Sequence, residues 1–460
     1  MRLIIFLAAA VALWPAEKQT ALDRYVGAKD PSFRYELVSE QALEGGRWFI
    51  LKLTSQNWRS AQEVDRTAWE HWLSIYRPVD VRHQTGLLFI TGGSNDGRVP
   101  SVNRDLRSIA WDTKSVVAEL RMVPNQPLRF TGEATPRFED AFIAYTWDKF
   151  LRGGDDLWPA RLPMTKSAVR AMDAVTAFLS SPQGGGLKVD RFVVSGGSKR
   201  GWTTWTTAAV EAITSRRVVA IIPLVIDVLN VEKSFEHHWR ALGFWAPAIK
   251  DYVQMNIPAW FGHPRLHELM KIEDPYNYRE RLTMPKLIVN AAGDQFFLPD
   301  SWQFYFKDLK GEKHLRYVPN ADHSLRNSDA LQTVAAFYEC ILNGRSRPEY
   351  SWTMEKDGAI RVQVKSHPDE VRLWYAVNPE ARDFRLEKIG PAYQSKILTP
   401  QRDGTYVAKV GRPERGWMAY FVELTFPGGG NYPLKFTTGV RVQPDTLPFP
   451  PPNNRNLSSN

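Results

Sequence analysis

The stretch Arg191–Trp205, RFVVSGGSKRGWTTW, constrains the fold more than any other part of the chain. A β-rich run passes there through Gly196–Ser198 directly into helix-forming residues. A serine on so tight a strand-to-helix turn has its hydroxyl lifted clear of the backbone, and its neighbours must be small to avoid colliding with the turn. The pattern predicts a nucleophile elbow, although Arg200 stands where the general motif has glycine and the glycine follows at Gly201.

An acidic residue and a histidine follow Ser198 in the order that an α/β-hydrolase requires. The segment Lys286–Asp294 has the pattern of a buried parallel strand that ends in a carboxylate, and Tyr317–His323 places a histidine after the next strand. In such a triad the serine attacks, the histidine accepts its proton and later protonates the leaving group, and the aspartate fixes the imidazole tautomer. The sequence therefore predicts Ser198, Asp294 and His323 as catalytic residues.

Each of these residues also has a structural interpretation when it is taken singly. A Gly-Gly-Ser turn ends strands in many α/β proteins, and a strand-terminal aspartate often caps a helix or holds a loop. Asp227, at the end of the apolar run Val218–Asp227, is an alternative acid because that strand also ends near the elbow. The joint occurrence of the three types in the required order favours the triad, and we prefer Asp294 to Asp227.

Glycines after an earlier strand indicate where an oxyanion could be bound. The apolar run Leu87–Asn95 contains Gly92, Gly93 and Ser94 at its end. We predict that the backbone N–H groups of Gly93 and Lys199 form the oxyanion hole, although a Gly-Gly turn also occurs without such a function.

Three side chains near these motifs are predicted to contact a substrate: Arg200, Trp202 and Trp245. Lys199 and Arg200 place two cations beside the nucleophile, where they could attract an acidic or C-terminal carboxylate group. Ordinary surface ion pairs are an equal alternative for both cations.

The alternation of strand and helix patterns defines the main domain. The chain has 460 residues, of which 43% are hydrophobic and 24% charged, enough for one large core and a smaller companion. Strands expected over 47–54, 69–78 and 116–123 and a helix over Thr165–Leu179 predict a doubly wound, mostly parallel α/β-hydrolase sheet over residues 17–345.

Residues 1–16 have the features of a secretory signal peptide cleaved near Ala16, which predicts export to the periplasm or beyond. A buried or frayed N-terminal segment is the alternative.

An aromatic segment interrupts the strand pattern at about residues 228–281, and we expect a helical cap over the site there. Its histidines lack the spacing of a zinc hydrolase: His237 and His238 are adjacent, and the pair His263 and His267 lacks the accompanying glutamate. No metal and no cofactor are predicted.

The C-terminal part loses the helical periodicity. Short alternating runs over residues 346–445 predict a small antiparallel, immunoglobulin-like β-sandwich that docks onto the main domain, and residues 446–460 predict a proline-rich disordered tail. The single cysteine, Cys340, lies in an apolar helical run, which favours a packed thiol over a nucleophile.

The charge pattern does not favour nucleic acid or a membrane as a partner. The formal net charge is +9, but lysine and arginine are spread among nearly as many acidic residues. No motif supports nucleic-acid binding, and the N-terminal apolar run is too short for stable membrane insertion. A small-molecule ester or peptide is the expected partner, and the sequence does not indicate an oligomeric state.

Several longer motifs resemble the PhoPQ-activated pathogenicity-related proteins, PqaA type. They cover most of the chain after the leader and are 123–128, Glu139-Asp140, 143–147, 158–172, 197–205 and 294–300. The resemblance implies an α/β-hydrolase fold with Ser198, Asp294 and His323 as its triad, and a Ser-Lys-Arg-Gly elbow that explains Arg200. It also implies an association with bacterial envelope stress and antimicrobial-peptide resistance, and it includes autocrine proliferation repressors.

The sequence thus leads to three hypotheses. The first is an exported serine hydrolase that acts by acyl transfer on an ester or a peptide. The second is a secreted binding or signalling protein that keeps the fold with little or no catalysis. The third gives the C-terminal segment a role in binding carbohydrate or envelope polymer, with a purely structural role as its alternative.

Overall fold

The computed structural model describes residues 19–452. Its strands are β1 Arg34–Leu43, β2 Gly46–Asn57, β3 Ala68–Pro78, β4 Thr85–Ile90, β5 Val117–Leu120, β6 Arg191–Gly197, β7 Val218–Leu224, β8 Lys286–Ala291, β9 Lys313–Val318, β10 Tyr350–Met354, β11 Ile360–Val364, β12 Glu370–Asn378, β13 Gln394–Ile397, β14 Tyr406–Ala408, β15 Trp417–Phe426, β16 Leu434–Thr437 and β17 Arg441–Gln443. Its α-helices are α1 Ala21–Gly27, α2 Arg104–Thr113, α3 Glu139–Leu151, α4 Arg161–Ser180, α5 Lys199–Glu211, α6 Val231–Leu242, α7 Lys250–Gln254, α8 Pro264–Glu273, α9 Ala330–Leu342 and α10 Leu386–Ile389. Short 3₁₀ turns span Pro247–Ile249, Ile257–Trp260, Pro275–Tyr278, Ser301–Phe304 and Phe306–Asp308.

A mostly parallel sheet forms the centre of the molecule. Strands β5, β4, β6, β7, β8 and β9 are neighbours in that order and run parallel, while β3, β2 and β1 extend the sheet antiparallel beyond β5. Parallel strands must be covered on both faces, and successive residues of β6 do point to opposite cores: Phe192 and Val194 to one, Val193 to the other. Helices α1, α3, α4 and α5 cover the first face, and α2 and α9 cover the second. This is the α/β-hydrolase-like architecture expected from the sequence.

The segment between β7 and β8 folds as helices α6 to α8 with intervening 3₁₀ turns, at the position where a cap was expected. Its helix α6 is amphipathic because its buried residues, among them Val231, Ser234, His238 and Leu242, recur every three to four positions. Across residues 19–452, no helix combines the length and apolar character needed to cross a membrane.

The separate C-terminal sandwich is not confirmed. Strands β16, β15, β12 and β13 continue the central sheet, because β16 pairs antiparallel with β9 at Thr437 and Leu315. Only β10, β11 and β14 form a second sheet, of three strands, which packs against the extension. The alternating pattern of these strands predicted one buried face each, but such a pattern does not say which strand is the neighbour.

The two chain ends differ in what the structure describes. Residues 1–18, with the predicted signal peptide, and residues 453–460 lie outside the described part of the chain. Residues 446–452 differ from the disordered tail expected there, since Leu447 packs against Leu242 and Leu298 and the Phe449 amide donates to the Arg240 carbonyl. Apolar side chains within the proline-rich stretch explain the difference, because they gain burial against the cap.

Candidate active site

Ser198 lies on the turn that joins β6 to α5, at the carboxyl ends of the parallel strands. Its backbone is strained, with φ of 57° and ψ of −126°, a combination that non-glycine residues rarely adopt. The Ser198 amide donates to the Leu224 carbonyl at 2.9 Å, and the Ser198 carbonyl accepts from the Trp202 amide at 2.9 Å. These bonds hold the strained residue between strand and helix, which is the geometry of a nucleophile elbow.

Gly196 and Gly201 allow α5, the helix that follows Ser198, to pack tightly on the sheet. A β-carbon at Gly196 would lie 2.9 Å from the carbonyl oxygen of Ile90, and one at Gly201 would lie 2.8 Å from the carbonyl oxygens of Gly196 and Leu224. Gly201 therefore lets the backbone of α5 lie close to β6 and β7. In the general motif the glycine at the position of Arg200 has this role. The departure from the general motif at Arg200 leaves the turn itself intact.

Replacing Gly201 by alanine should destabilise the protein by about 1–3 kcal/mol, because the methyl group meets backbone oxygens that cannot rotate away. Gly27→Ala is the matched control, since no atom lies within 4 Å of its added carbon. At the end of α1 that change should be neutral or stabilising by up to about 1 kcal/mol. Urea denaturation of both variants checks this, and equal stability for the two would contradict the tight packing of the elbow.

Asp294 and His323 form a directly hydrogen-bonded pair. They follow β8 and β9, and the Nδ1 atom of His323 lies 2.8 Å and 3.0 Å from the two carboxylate oxygens. Asp294 also accepts the amide of Phe296 at 2.7 Å, and the His323 amide donates to the Gln295 side chain at 2.9 Å. Because the carboxylate accepts the Nδ1 proton, the Nε2 atom of His323 is left as the basic nitrogen.

His323 lies at the same cleft as Ser198. Both residues line an opening of about 720 Å³ at the edge of the sheet. Within residues 19–452, Nε2 of His323 is buried and has no hydrogen-bond partner, so the bond to the Ser198 hydroxyl is not formed. An unpaired histidine nitrogen and a strained serine at one cleft are compatible with the predicted triad, since catalytic hydrogen bonds are often long before substrate binds.

Asp227, the alternative acid, is engaged elsewhere. Its carboxyl group is buried and accepts hydrogen bonds from the hydroxyls of Tyr305, at 2.7 Å, and Tyr317. Burial raises the pKa of Asp227 to about 8, against the opposing effect of the two hydroxyls. Burial thus favours the protonated form of Asp227, whereas the residue bonded to the imidazole is Asp294.

The two cations beside Ser198, Lys199 and Arg200, are largely buried and paired with carboxylates. Arg200 forms a bidentate bond to Glu139, at 2.7 Å for each contact, and also donates to the Val123 carbonyl. The Nζ atom of Lys199 lies 2.8 Å from Glu139 and 3.1 Å from Asp140. Burial opposes the charge of Glu139, but Arg200 and then Lys199 outweigh it and hold the pKa of that carboxyl well below its usual range.

The contacts of the Arg200 guanidinium limit its availability to a substrate. Its guanidinium lies against Gly92, where an added β-carbon would come within 2.8 Å of the guanidinium carbon. Each nitrogen of the guanidinium already donates one hydrogen bond, so Arg200 ties α5 to α3 and to the loop after β5. From the sequence, Arg200 was expected either to attract an acidic group of the substrate or to form a surface ion pair. The structure places it in a buried ion cluster, and substrate contact by Arg200 stays a prediction.

The predicted oxyanion donors lie at the ends of β4 and β6. Lys199 is the first residue of α5, where backbone N–H groups have no partner within the helix. Gly93 has φ of +130°, and its carbonyl accepts the Gln126 side chain at 3.2 Å. A positive φ of this size requires glycine, so the loop conformation depends on that residue type. The function of both amides stays a prediction.

The two predicted tryptophans fall in different places. Trp202 lines a second, small cavity beside Ser198, and its indole N–H donates to the Glu273 carbonyl. Trp245 lies in an aromatic cluster of the cap, with ring centroids 5.9 Å from His238 and 5.1 Å from Trp239. Neither of the cavities that Ser198 lines includes Trp245.

The cap histidines have structural partners in the described chain. His237 bonds to Asp300 at 3.0 Å, and His238 accepts the Ala246 amide at 3.1 Å. His263 caps α8 by accepting the Arg265 amide, and His267 pairs with Glu232.

The structure adds residues that the sequence analysis did not assign to the site. Glu139 and Asp140 were noted only within a motif, yet they neutralise the cations of the elbow. Asp105, Ser108 and Asp112 line the large cleft from α2, at a helical spacing of three and four that the sequence already contained. Phe296 packs on the imidazole of His323 with ring centroids 4.3 Å apart.

A family model for PhoPQ-activated pathogenicity-related protein matches residues 22–385. The chain belongs to this family. It is also 37% identical to autocrine proliferation repressor protein A of Dictyostelium discoideum over 460 aligned residues, which cover 94% of this chain and 92% of that protein.

Among solved structures, acetyl xylan esterase 1 of Thermoanaerobacterium sp. matches 66% of this chain and 86% of its own, with 18% identity and a TM-score of 0.43. The acylaminoacyl peptidase of Pyrococcus horikoshii matches 68% of this chain and 51% of its own, with 12% identity and a TM-score of 0.41.

Proposed function

We propose that the protein is a serine hydrolase that works through an acyl-enzyme on an ester or amide bond. The observation that carries the proposal is the hydrogen-bonded pair of His323 and Asp294, in which His323 keeps an unpaired Nε2 and lines the same cleft as the strained Ser198. Each residue has the type and the position that nucleophilic catalysis needs.

In the first half of the reaction the Ser198 oxygen bonds to the substrate carbonyl carbon while its proton passes to Nε2 of His323. The bond to the leaving group then breaks, and His323 gives that proton to the departing oxygen or nitrogen. In the second half a water loses a proton to Nε2 and attacks the acyl carbon, and the carboxylic acid leaves as Ser198 regains its proton. Asp294 orients the imidazole and stabilises its positive charge throughout.

The surroundings of the triad support this scheme. The amide of Lys199, at the N-terminal end of α5, would stabilise the oxyanion, with the loop at Gly93 as the second donor. Export after removal of residues 1–16 remains part of the proposal, since that segment has a charged start, a short apolar run and small residues before a polar switch.

Labelling with a fluorophosphonate tests the proposal directly. The reagent should form one adduct on the wild type, located at Ser198 by mass spectrometry, and none on Ser198→Ala. Ser195→Ala is the matched control, because Ser195 lies three residues earlier with its hydroxyl bonded to the Ile222 carbonyl. It should label like the wild type. Equal labelling of Ser198→Ala and wild type, or no labelling of either, would contradict the proposal and favour a binding protein on this fold.

A further inference from the structure

Ser198 stands between two cavities of very different size. The large cleft of about 720 Å³ and a small cavity of about 30 Å³ have Ser198 as their one shared lining residue. The large cleft is walled by α2, α9 and the loop that carries His323, and the small one by α3, α5, the cap and the loop after β8. A substrate attacked at Ser198 would therefore have one part on each side.

The side on which each part lies follows from the position of the general acid. His323 lines the large cleft and does not line the small cavity. Because the histidine must reach the departing atom to protonate it, the leaving group belongs in the large cleft. The acyl group then belongs in the small cavity.

The walls of the small cavity are mostly apolar. Trp147, Trp202, Ile226 and Val228 contribute from the elbow side, and Ile249 closes it from the cap. Its three ionisable residues are engaged with one another, since Tyr252 donates to Asp140 at 3.2 Å and Lys199 pairs with the same carboxylate. An uncharged acyl group would lose no hydrogen bond on entering, whereas a charged one would be left without a free partner.

Its size limits the acyl chain. About 10–15 Å³ is needed to place one water-sized group, so 30 Å³ holds two or three such groups. This is room for an acetyl or propionyl unit. A peptide residue with its own preceding chain has many more atoms, as does a fatty acyl chain.

The large cleft is lined by both apolar and polar side chains. Asp105, Ser108 and Asp112 project along one side of it from α2, and Asn327 and Gln332 contribute from the other. These exposed donors and acceptors suit a leaving group rich in hydroxyl groups and larger than the acyl unit.

We propose that the substrate is a short-chain ester, acetyl or propionyl, of a polar hydroxylated alcohol. The acyl unit is recognised in the cavity at Trp202 and Ile249, and the alcohol in the cleft beside His323. This assignment rests on the proposed serine hydrolase function and narrows it to esters of short acids, in place of internal peptide bonds or lipid esters.

A chain-length series tests the acyl part. The 4-nitrophenyl esters of acetate, butyrate and octanoate share one leaving group, so differences in kcat/KM report the acyl cavity alone. The wild type should favour acetate over octanoate by at least about 100-fold, given that one methylene in a closed pocket changes the rate by about 10–200-fold. Equal or faster hydrolysis of octanoate would overturn the assignment.

Enlarging the cavity should shift that preference. Ile249→Ala should raise the ratio of butyrate to acetate kcat/KM by about tenfold or more. Leu266→Ala is the control, because it removes a buried side chain of the cap that lines neither cavity. It should leave the ratio unchanged. Phe235→Ala, a half-buried cavity residue, serves as a second enlarging variant if Ile249→Ala does not fold. An unchanged ratio in the folded enlarging variant would overturn the assignment.

The outcomes separate the two proposals. If Ser198 is labelled by the fluorophosphonate but long-chain esters are preferred, the hydrolase proposal stands and the short-acyl assignment fails. If Ser198 is not labelled and no ester is cleaved, both fail together. Cleavage of an unblocked peptide series at rates above those of the acetyl ester would also overturn the short-acyl assignment.

Discussion

Asp294→Asn is expected to lower kcat by about 10⁴-fold while leaving the fold intact. The side chain keeps its size, but its amide would turn an N–H toward His323 or stabilise the wrong tautomer of the ring. The Nε2 atom would then carry the proton that it must be free to accept. Steady-state hydrolysis of 4-nitrophenyl acetate, with circular dichroism to confirm folding, measures the effect.

Asp227→Asn is the matched control for that change. The side chain is also buried at the end of a neighbouring strand, but it accepts hydrogen bonds from Tyr305 and Tyr317 and does not contact His323. Burial raises its pKa to about 8, so asparagine resembles the favoured protonated form. Activity should stay within about threefold of the wild type. A loss of 10⁴-fold in Asp227→Asn with little change in Asp294→Asn would reverse the assignment of the acid.

The second large effect is expected at a buried ion pair behind the elbow. Arg161 and Glu273 are both fully buried and lie 3.1 Å apart, and Arg161 also donates to the Lys199 carbonyl at 2.8 Å. Glu273→Gln would leave the guanidinium charge buried without its partner. The free energy of unfolding should fall by about 3–5 kcal/mol, as measured by urea denaturation.

Replacing both members should restore most of that loss. Burial lowers the pKa of Arg161 and raises the pKa of Glu273, in each case against the attraction of the partner. The desolvation cost of a buried pair can exceed its mutual attraction, and the double variant Arg161→Met, Glu273→Leu exchanges the pair for packed apolar side chains. A double variant less stable than Glu273→Gln alone would show that the pair is a net source of stability.

Much of the site could be predicted from local patterns, because strand ends and chain order carry the information. The Gly196–Ser198 turn, the carboxylate after β8 and the histidine after β9 each follow an apolar run with a clear end. In a parallel sheet those ends meet at one edge, so Asp294 and His323 could be expected to be neighbours, and their hydrogen bond confirms this.

What the sequence could not supply were pairings between distant segments. The partners of Lys199 and Arg200 were not predicted because Glu139 and Asp140 lie some 60 residues earlier in the chain. The C-terminal strands were expected to form their own sandwich because alternation reports a buried face without naming the partner strand. Trp245 was expected at the substrate, since aromatic residues suit both a pocket and a cap, and the structure places it in an aromatic cluster of the cap.

The pairing of β16 with β9 has a consequence for how the molecule assembles. Joining Thr437 to Leu315 closes a loop of more than one hundred residues, so this contact forms late and slowly relative to the neighbouring parallel strands. Until it forms, β9 presents an open row of backbone donors and acceptors to any other unfinished chain. Successful maturation thus depends on keeping partly folded molecules apart, and recovery after denaturation should be best in dilute solution.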